Sequence, residues 1–311
     1  MKKICLPLIP LLILALALGC SNDANDDGPD GPGGLAGVDT TANLQGTGDS
    51  ANDLLSNDSF SKLVVEIAYV EGFRPTEAAM DGFVAYLKQR TFKEDIDLIY
   101  NELTSPDEEK LTLEEISDLE KKHRTAYNDG ETLAVYIYFS DAPAEEDEEE
   151  QGLVTLGAVY RNTSMIIHEV TVRRLANQNF IPTAEVESST LNHEFGHLFG
   201  LVNLGTDQVN DHEGEQTDEN GEPVLDDNGN PLGNSHCIVN ACLMNAELQF
   251  GGAAGKSAPQ TAKSALGLKA GCRLSGKSVL KMLSARTAKE SGLAPTLGAE
   301  CILDLRSNGG R

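Results

Sequence analysis

Five consecutive residues, His193-Glu194-Phe195-Gly196-His197, combine the side chains that metal-assisted hydrolysis requires. On a helix, side chains four positions apart stand one above the other, so His193 and His197 can offer ring nitrogens, the donors zinc favours, to one ion. Glu194 is turned from His193 by about 100°, near such an ion without having to bind it. A carboxylate there can take a proton from water and return it to a leaving amine. Neutral imidazoles leave a bound ion enough Lewis acidity to polarise a carbonyl and to bring the pKa of its water toward about 7. His193 and His197 are therefore candidate metal ligands, Glu194 is the candidate general base and zinc is the expected cofactor. Five residues alone recur by chance, so the meaning of the pattern depends on what surrounds it.

A helix is expected to position it. Pro182-Thr183 offers a start, Val186, Leu191, Phe195, Leu198 and Phe199 supply apolar faces, and no proline interrupts residues 184–202. Residues 61–70 and 132–140, rich in β-branched and aromatic side chains, read as strands, and 154–160 and 164–168 as a pair of strands turning at Arg161-Asn162. Ala79, Phe83, Tyr86 and Leu87 recur at helical spacing over 76–90. Residues 92–128 read as a charged region with one helix, carried by Leu111, Ile116 and Leu119, and connections. The expected fold class is α/β (α+β), a mixed twisted sheet with the metal-binding helix over 59–203 and an irregular lower part over 204–311. Within that lower part, 207–235 is a polar loop with turn signals at Asn220-Gly221 and Asn228-Gly229. A helix is expected over 278–289, and the apolar segment 301–305 is expected to dock on the core.

The longer run from His193 to Asn203 resembles the zinc helix of the metzincin peptidases, in which a glycine stands where Gly200 is and lets the chain turn back toward the metal. Cys242-Leu243-Met244-Asn245 resembles the methionine-containing turn beneath the metal in that family, with Met244 as an apolar support. The resemblance implies a zinc-dependent endopeptidase acting on protein or peptide substrates. Its rival is a lipid-anchored binding protein that keeps the fold with little or no hydrolysis. The departure is Asn203, where the family has His or Asp; an amide oxygen is a weak zinc ligand. His212 is the first choice for the third ligand, because Gly205 and a polar loop could return it to the site. His236 is next, followed by Asn203 itself or an acidic residue. Some relatives carry a Cys-x4-Cys-x-Met string, as Cys237, Cys242 and Met244 do, and bind a second zinc through cysteines; too few cysteines remain here to make that site convincing.

Of the six cysteines, Cys237, Cys242, Cys272 and Cys301 lie in the body of the chain, and in an oxidising compartment they permit Cys237–Cys242 and Cys272–Cys301 disulfides. Calcium is a secondary candidate ion for the acids of the loop, Asp218, Glu219, Asp226, Asp227 and Asn228, although the twelve-residue calcium pattern is incomplete. Solvated charge explains those residues, and the acidic run 145–150, as well.

Lys2 and Lys3 precede an apolar run to Leu18 that ends in Gly19-Cys20, the layout of a secretory signal over 1–19. Leu18-Gly19-Cys20 resembles a bacterial lipobox, which implies acylation of Cys20, a flexible tether over 20–58 and attachment to the outer membrane outside the cytoplasm. Asp23, Asp26, Asp27 and Asp30 resemble the surface-export signal of some lipoproteins, which implies outward display. The formal charge of -25 argues against a nucleic-acid partner. Oligomeric state and cleavage specificity are not legible in the sequence.

Overall fold

The computed structural model describes residues 38–148, 154–218, 220–239, 242–245, 272–284 and 295–311. The expected signal segment, Cys20, the acidic residues after it and Glu219 lie outside the described residues.

Strand β1 (Lys62–Val70) is joined by α2 (Glu77–Arg90) to β2 (Asp95–Leu103), and α3 (Leu113–His123) leads to β3 (Thr132–Phe139), α1 (Ala51–Leu55) having preceded them all. The pair β4 (Thr155–Arg161) and β5 (Ser164–Ile167) is followed by α4 (Glu169–Asn179) and α5 (Thr183–Leu198). A small ladder, β6 (Glu213–Glu215) with β7 (Gly233–Cys237), precedes β8 (Cys272–Ser275), α6 (Gly276–Ser284) and α7 (Ala299–Ser307). The main sheet has the order β2-β1-β3-β5-β4-β8. β2, β1, β3 and β5 are parallel neighbours; β4 runs antiparallel to β5 on one side and to β8 on the other. The fold is thus mixed α/β with a mostly parallel sheet.

β3 is buried from Leu133 to Phe139, which explains its unbroken apolar sequence: a central parallel strand has no solvent face. Its side chains divide by parity. Leu133, Val135, Ile137 and Phe139 join the core beneath α2 and α5, whereas Tyr136 and Tyr138 join the layer capped by Leu113 and Ile116 of α3. Phe83 of α2 meets Phe195 of α5 edge-on, ring centroids 5.1 Å apart, so the helix bearing the histidines is clamped by an aromatic contact on the side facing α2.

Three expectations change. β2 falls in the stretch read as helix and connections; as the sheet's outer strand it alternates exposed and half-buried positions, and Asp95, Asp97 and Glu102 dilute its apolar signal. α4 was not foreseen, since only a stripe of Val172, Leu175 and Ala176 marks it. The tether does not extend to residue 58: Leu54 and Leu55 are wholly buried, and the Asn43 amide donates to Asn128 Oδ1 at 2.9 Å and to the Ala134 carbonyl at 3.1 Å. The second half of that polar segment carries enough apolar and hydrogen-bonding side chains to pack.

α4 and α5 meet at two buried carboxyl groups. Glu187 accepts from the backbone N–H and hydroxyl of Thr76 at the start of α2, and Glu169 Oε1 accepts from Arg173 Nε at 2.6 Å. Burial, then the charge of Glu187, pushes Glu169 up to about 9, so it is protonated at neutral pH and can donate to its neighbour. A raised carboxyl pKa stabilises the fold fully below the free-glutamate range, and this contribution declines as pH rises, vanishing above about 9. Glu169→Gln, which keeps an acceptor for Arg173 and a donor for Glu187, is expected to melt several degrees higher than the parent at pH 9, with the difference shrinking toward pH 5. Parallel melting curves at both pH values would show that the pair does not share a proton.

Candidate metal centre

α5 contributes two candidate ligands from one face. His193 and His197 are fully buried, with Nε2 atoms 3.1 Å apart. Nitrogens bound at about 2.0 Å to a tetrahedral zinc lie ~3.3 Å apart, so the pair is already near the spacing one ion imposes. His193 Nδ1 hydrogen-bonds to the Leu243 carbonyl at 2.8 Å. A carbonyl only accepts, so Nδ1 carries the proton and Nε2 presents its lone pair.

The third imidazole comes from β7. The His236 ring stacks on His193, centroids 5.4 Å apart, and stands perpendicular to His197 at 5.3 Å. Its Nδ1 donates to the Asn234 carbonyl at 2.8 Å, which again leaves Nε2 as the outward donor. The ligand atoms of His193, His197 and His236 all lie within 4.8 Å of one another. Burial holds His193 down at about 4 and His236 at about 3, and drives His197 lower as well, so all three are neutral at pH 7, the form that binds a metal. Three neutral nitrogens, two of them on rings whose tautomer a carbonyl fixes, suit zinc and leave a fourth position for water or substrate.

Glu194 is fully buried beneath β4. Gly157 of β4 explains how the strand comes so near: a Cβ there would lie 2.9 Å from Glu194 Cγ and 3.0 Å from Thr190 Cγ2. On the opposite side, a Cβ on Gly196 would overlap Met244 Sδ, so Met244 packs directly against the turn between the two histidines. Gly200 ends the helix at φ +72°, with no room for a side chain against Ala51 and Thr206. Val202 and Asn203 follow at φ 56° and 60°, a backbone that β-branched residues rarely adopt, and they turn the chain sharply away.

The remaining expected ligands are placed elsewhere. Asn203 is exposed and donates to Glu213. His212 lies with Cys237 and Cys301 in a second compact group, its Nε2 3.5 Å from Cys301 Sγ and 3.4 Å from Asp304 Oδ2. Cys242 joins them, its Sγ 3.6 Å from that of Cys301. Cys237, Cys242 and Cys301 are free thiols, so neither expected disulfide is present: α7 brings Cys301 to Cys242, and Cys237 lies in the same group. Gly298 N–H donates to Cys242 Sγ at 3.1 Å and Val239 N–H to Cys237 Sγ at 3.4 Å. The Cys242 thiol is pulled down, first by its hydrogen bond with Cys237, then by Cys301 and the Gly298 amide, while Cys237 is pushed up by the same hydrogen bond. Sequence reasoning discounted this group because it counted cysteines alone and gave His212 to the other site.

The calcium candidates are occupied locally. Asp218 Oδ1 accepts from the amides of Asn220 and Glu222, and Asp226 Oδ1 from those of Asn228 and Asn230, closing two exposed turns of like form. His168 is buried, its Nδ1 2.9 Å from the Ala142 carbonyl, in a structural setting.

No family model and no curated protein matches the chain. Among solved structures, the chain is similar to archaemetzincin from Methanopyrus kandleri, with 13% sequence identity and a TM-score of 0.41, over 80% of this chain and 96% of that one.

Proposed function

We propose that the protein is a zinc-dependent peptidase whose ion is held by His193, His197 and His236, with Glu194 as general base. One observation carries the reading: three buried, neutral imidazoles converge by Nε2, two of them locked in that tautomer by backbone carbonyls, with a buried carboxylate beside them. His236 replaces His212 as the third ligand.

A zinc ion bound there supplies Lewis acidity toward a carbonyl and acidifies a water molecule. The chain's own groups do the rest. Glu194, held under β4 at Gly157, takes the proton from the attacking water and gives it to the departing amine. The Leu243 and Asn234 carbonyls keep the His193 and His236 rings aimed and raise their basicity. Met244 fills the space under Gly196, so the two helical ligands cannot sink into the core.

The group of His212, Cys237, Cys242 and Cys301 is read as a second, closed zinc site. Four donors leave no open position, and the site would tie α7 and the 207–235 loop to the Met244 turn. Acylation of Cys20 and an outer-membrane location complete the proposal; they rest on the sequence alone.

The purified chain is expected to hold two zinc ions and to cleave members of a mixed peptide library until a chelator removes the metal. Two tightly held zinc ions with no chelator-sensitive cleavage would favour the rival reading, a binding protein on a hydrolase fold.

A further inference from the structure

Strand β8 lies beside β4 where an extended peptide would add to the sheet. The inner edge of β4 is paired to β5, and at Gly157 the strand crosses directly over Glu194. Its outer edge is taken by β8, antiparallel, with Val159 opposite Cys272, Ala158 opposite Arg273, Gly157 opposite Leu274 and Thr155 opposite Ser275. The chain's own backbone therefore runs extended past the position of the proposed general base. An extended peptide gains affinity by adding main-chain hydrogen bonds to an open strand edge, and this edge is not open. The side chains of the site have no appreciable exposure: His193, Glu194 and His197 are at 0% and His236 at 5%.

The segment is held at its downstream end. Gly276 N–H donates to the Val154 carbonyl at 2.9 Å, and α6 follows at once, with Val279 wholly buried and Leu280 and Leu283 packed on the core beside α5. The ladder itself spans four residues and is broken by a register shift between Thr155 and Gly157. A short, irregular outer ladder opens before the sheet's interior does.

We propose that β8 is an internal strap, occupying the strand edge at which an extended peptide substrate docks, and that it holds turnover low by admitting substrate only while the β4–β8 ladder is open. This rests on the peptidase reading above and adds the mode of substrate binding and its control.

Successive amides of a strand face opposite sides, so one of Arg273→Pro and Leu274→Pro must remove a donor to β4. That variant is expected to show faster amide exchange over 156–159, unchanged zinc content and at least a tenfold higher kcat/KM on peptides. Faster exchange without a gain over a parent that does cleave would overturn the proposal. Ala158→Cys combined with Arg273→Cys puts two thiols directly across the ladder; if the proline variants fail to fold, this pair decides, since its disulfide is expected to lower turnover at least tenfold and unchanged turnover would overturn the strap. If parent and variants all bind zinc and none cleaves, the peptidase reading fails, and a labelled peptide of residues 271–277 tests the strap by itself. It should bind the effective proline variant at least tenfold more tightly than the parent; equal binding to both would overturn it.

Discussion

Glu194→Gln is expected to lower kcat by about 10²- to 10⁴-fold, the range over which a positioned proton-transfer group contributes, while both zinc ions remain. The reasoning is geometric. The amide has the shape of the carboxylate, so it fits the space under Gly157, and the folded site, its imidazoles and their carbonyl partners should be undisturbed. What it lacks is a basic oxygen: a neutral amide cannot take a proton from water near neutral pH. The loss should therefore appear in kcat more than in KM, since the interaction removed is made in the transition state. Metal analysis and kinetics on the same preparation check it, and a variant that cleaves at close to the parent rate with full zinc would remove Glu194 from the mechanism.

The candidate site on α5 was legible because its residues are local. His193, Glu194 and His197 need only a helix to become a site, and the helix is set by the apolar pattern around them; Gly200 marks the exit because its backbone and its crowding exclude a side chain. The central strands were legible for the same reason: β3 advertises burial on both faces in every residue. What lay hidden depends on tertiary partners. β2 carries acids on its exposed face and is a strand because β1 lies alongside it. β8, within an Ala, Gly, Ser and Lys-rich stretch, is a strand because the outer edge of β4 offers unpaired amides and carbonyls.

The proposed third ligand was hidden for a different reason. Closing a longer loop adds little entropy, since the cost grows only with the logarithm of its length. Distance along the chain from His197 therefore could not discriminate between His212 and His236. The structure shows a signal that could have done so: Met244 packs under Gly196, and the Cys237 N–H donates to the Met244 carbonyl at 2.8 Å, so the neighbour of Cys237 in sequence is carried to the helix with it. Among the described residues His212 has no such tether to α5; the Ile238 N–H donates to its carbonyl at 2.9 Å and aligns it with the outgoing strand, on the side where Cys301 arrives.

Exchange of the two histidines separates their roles. His236→Ala is expected to remove one zinc and essentially all cleavage, because two imidazoles cannot hold an ion as three do, while Cys237, Cys242, Cys301 and His212 keep theirs. His212→Ala is expected to remove or weaken the other zinc, lower the melting temperature and spare the catalytic ion. Its three remaining thiol donors are buried together, and without the ion that screens them at least two must take up protons, which places the loss in stability rather than in turnover. Zinc counting, melting curves and kcat measured on both variants distinguish the assignments. Loss of the catalytic ion in His212→Ala, with His236→Ala still active, would return the third ligand to the 207–235 loop and leave the stacking of His236 on His193 without a catalytic meaning.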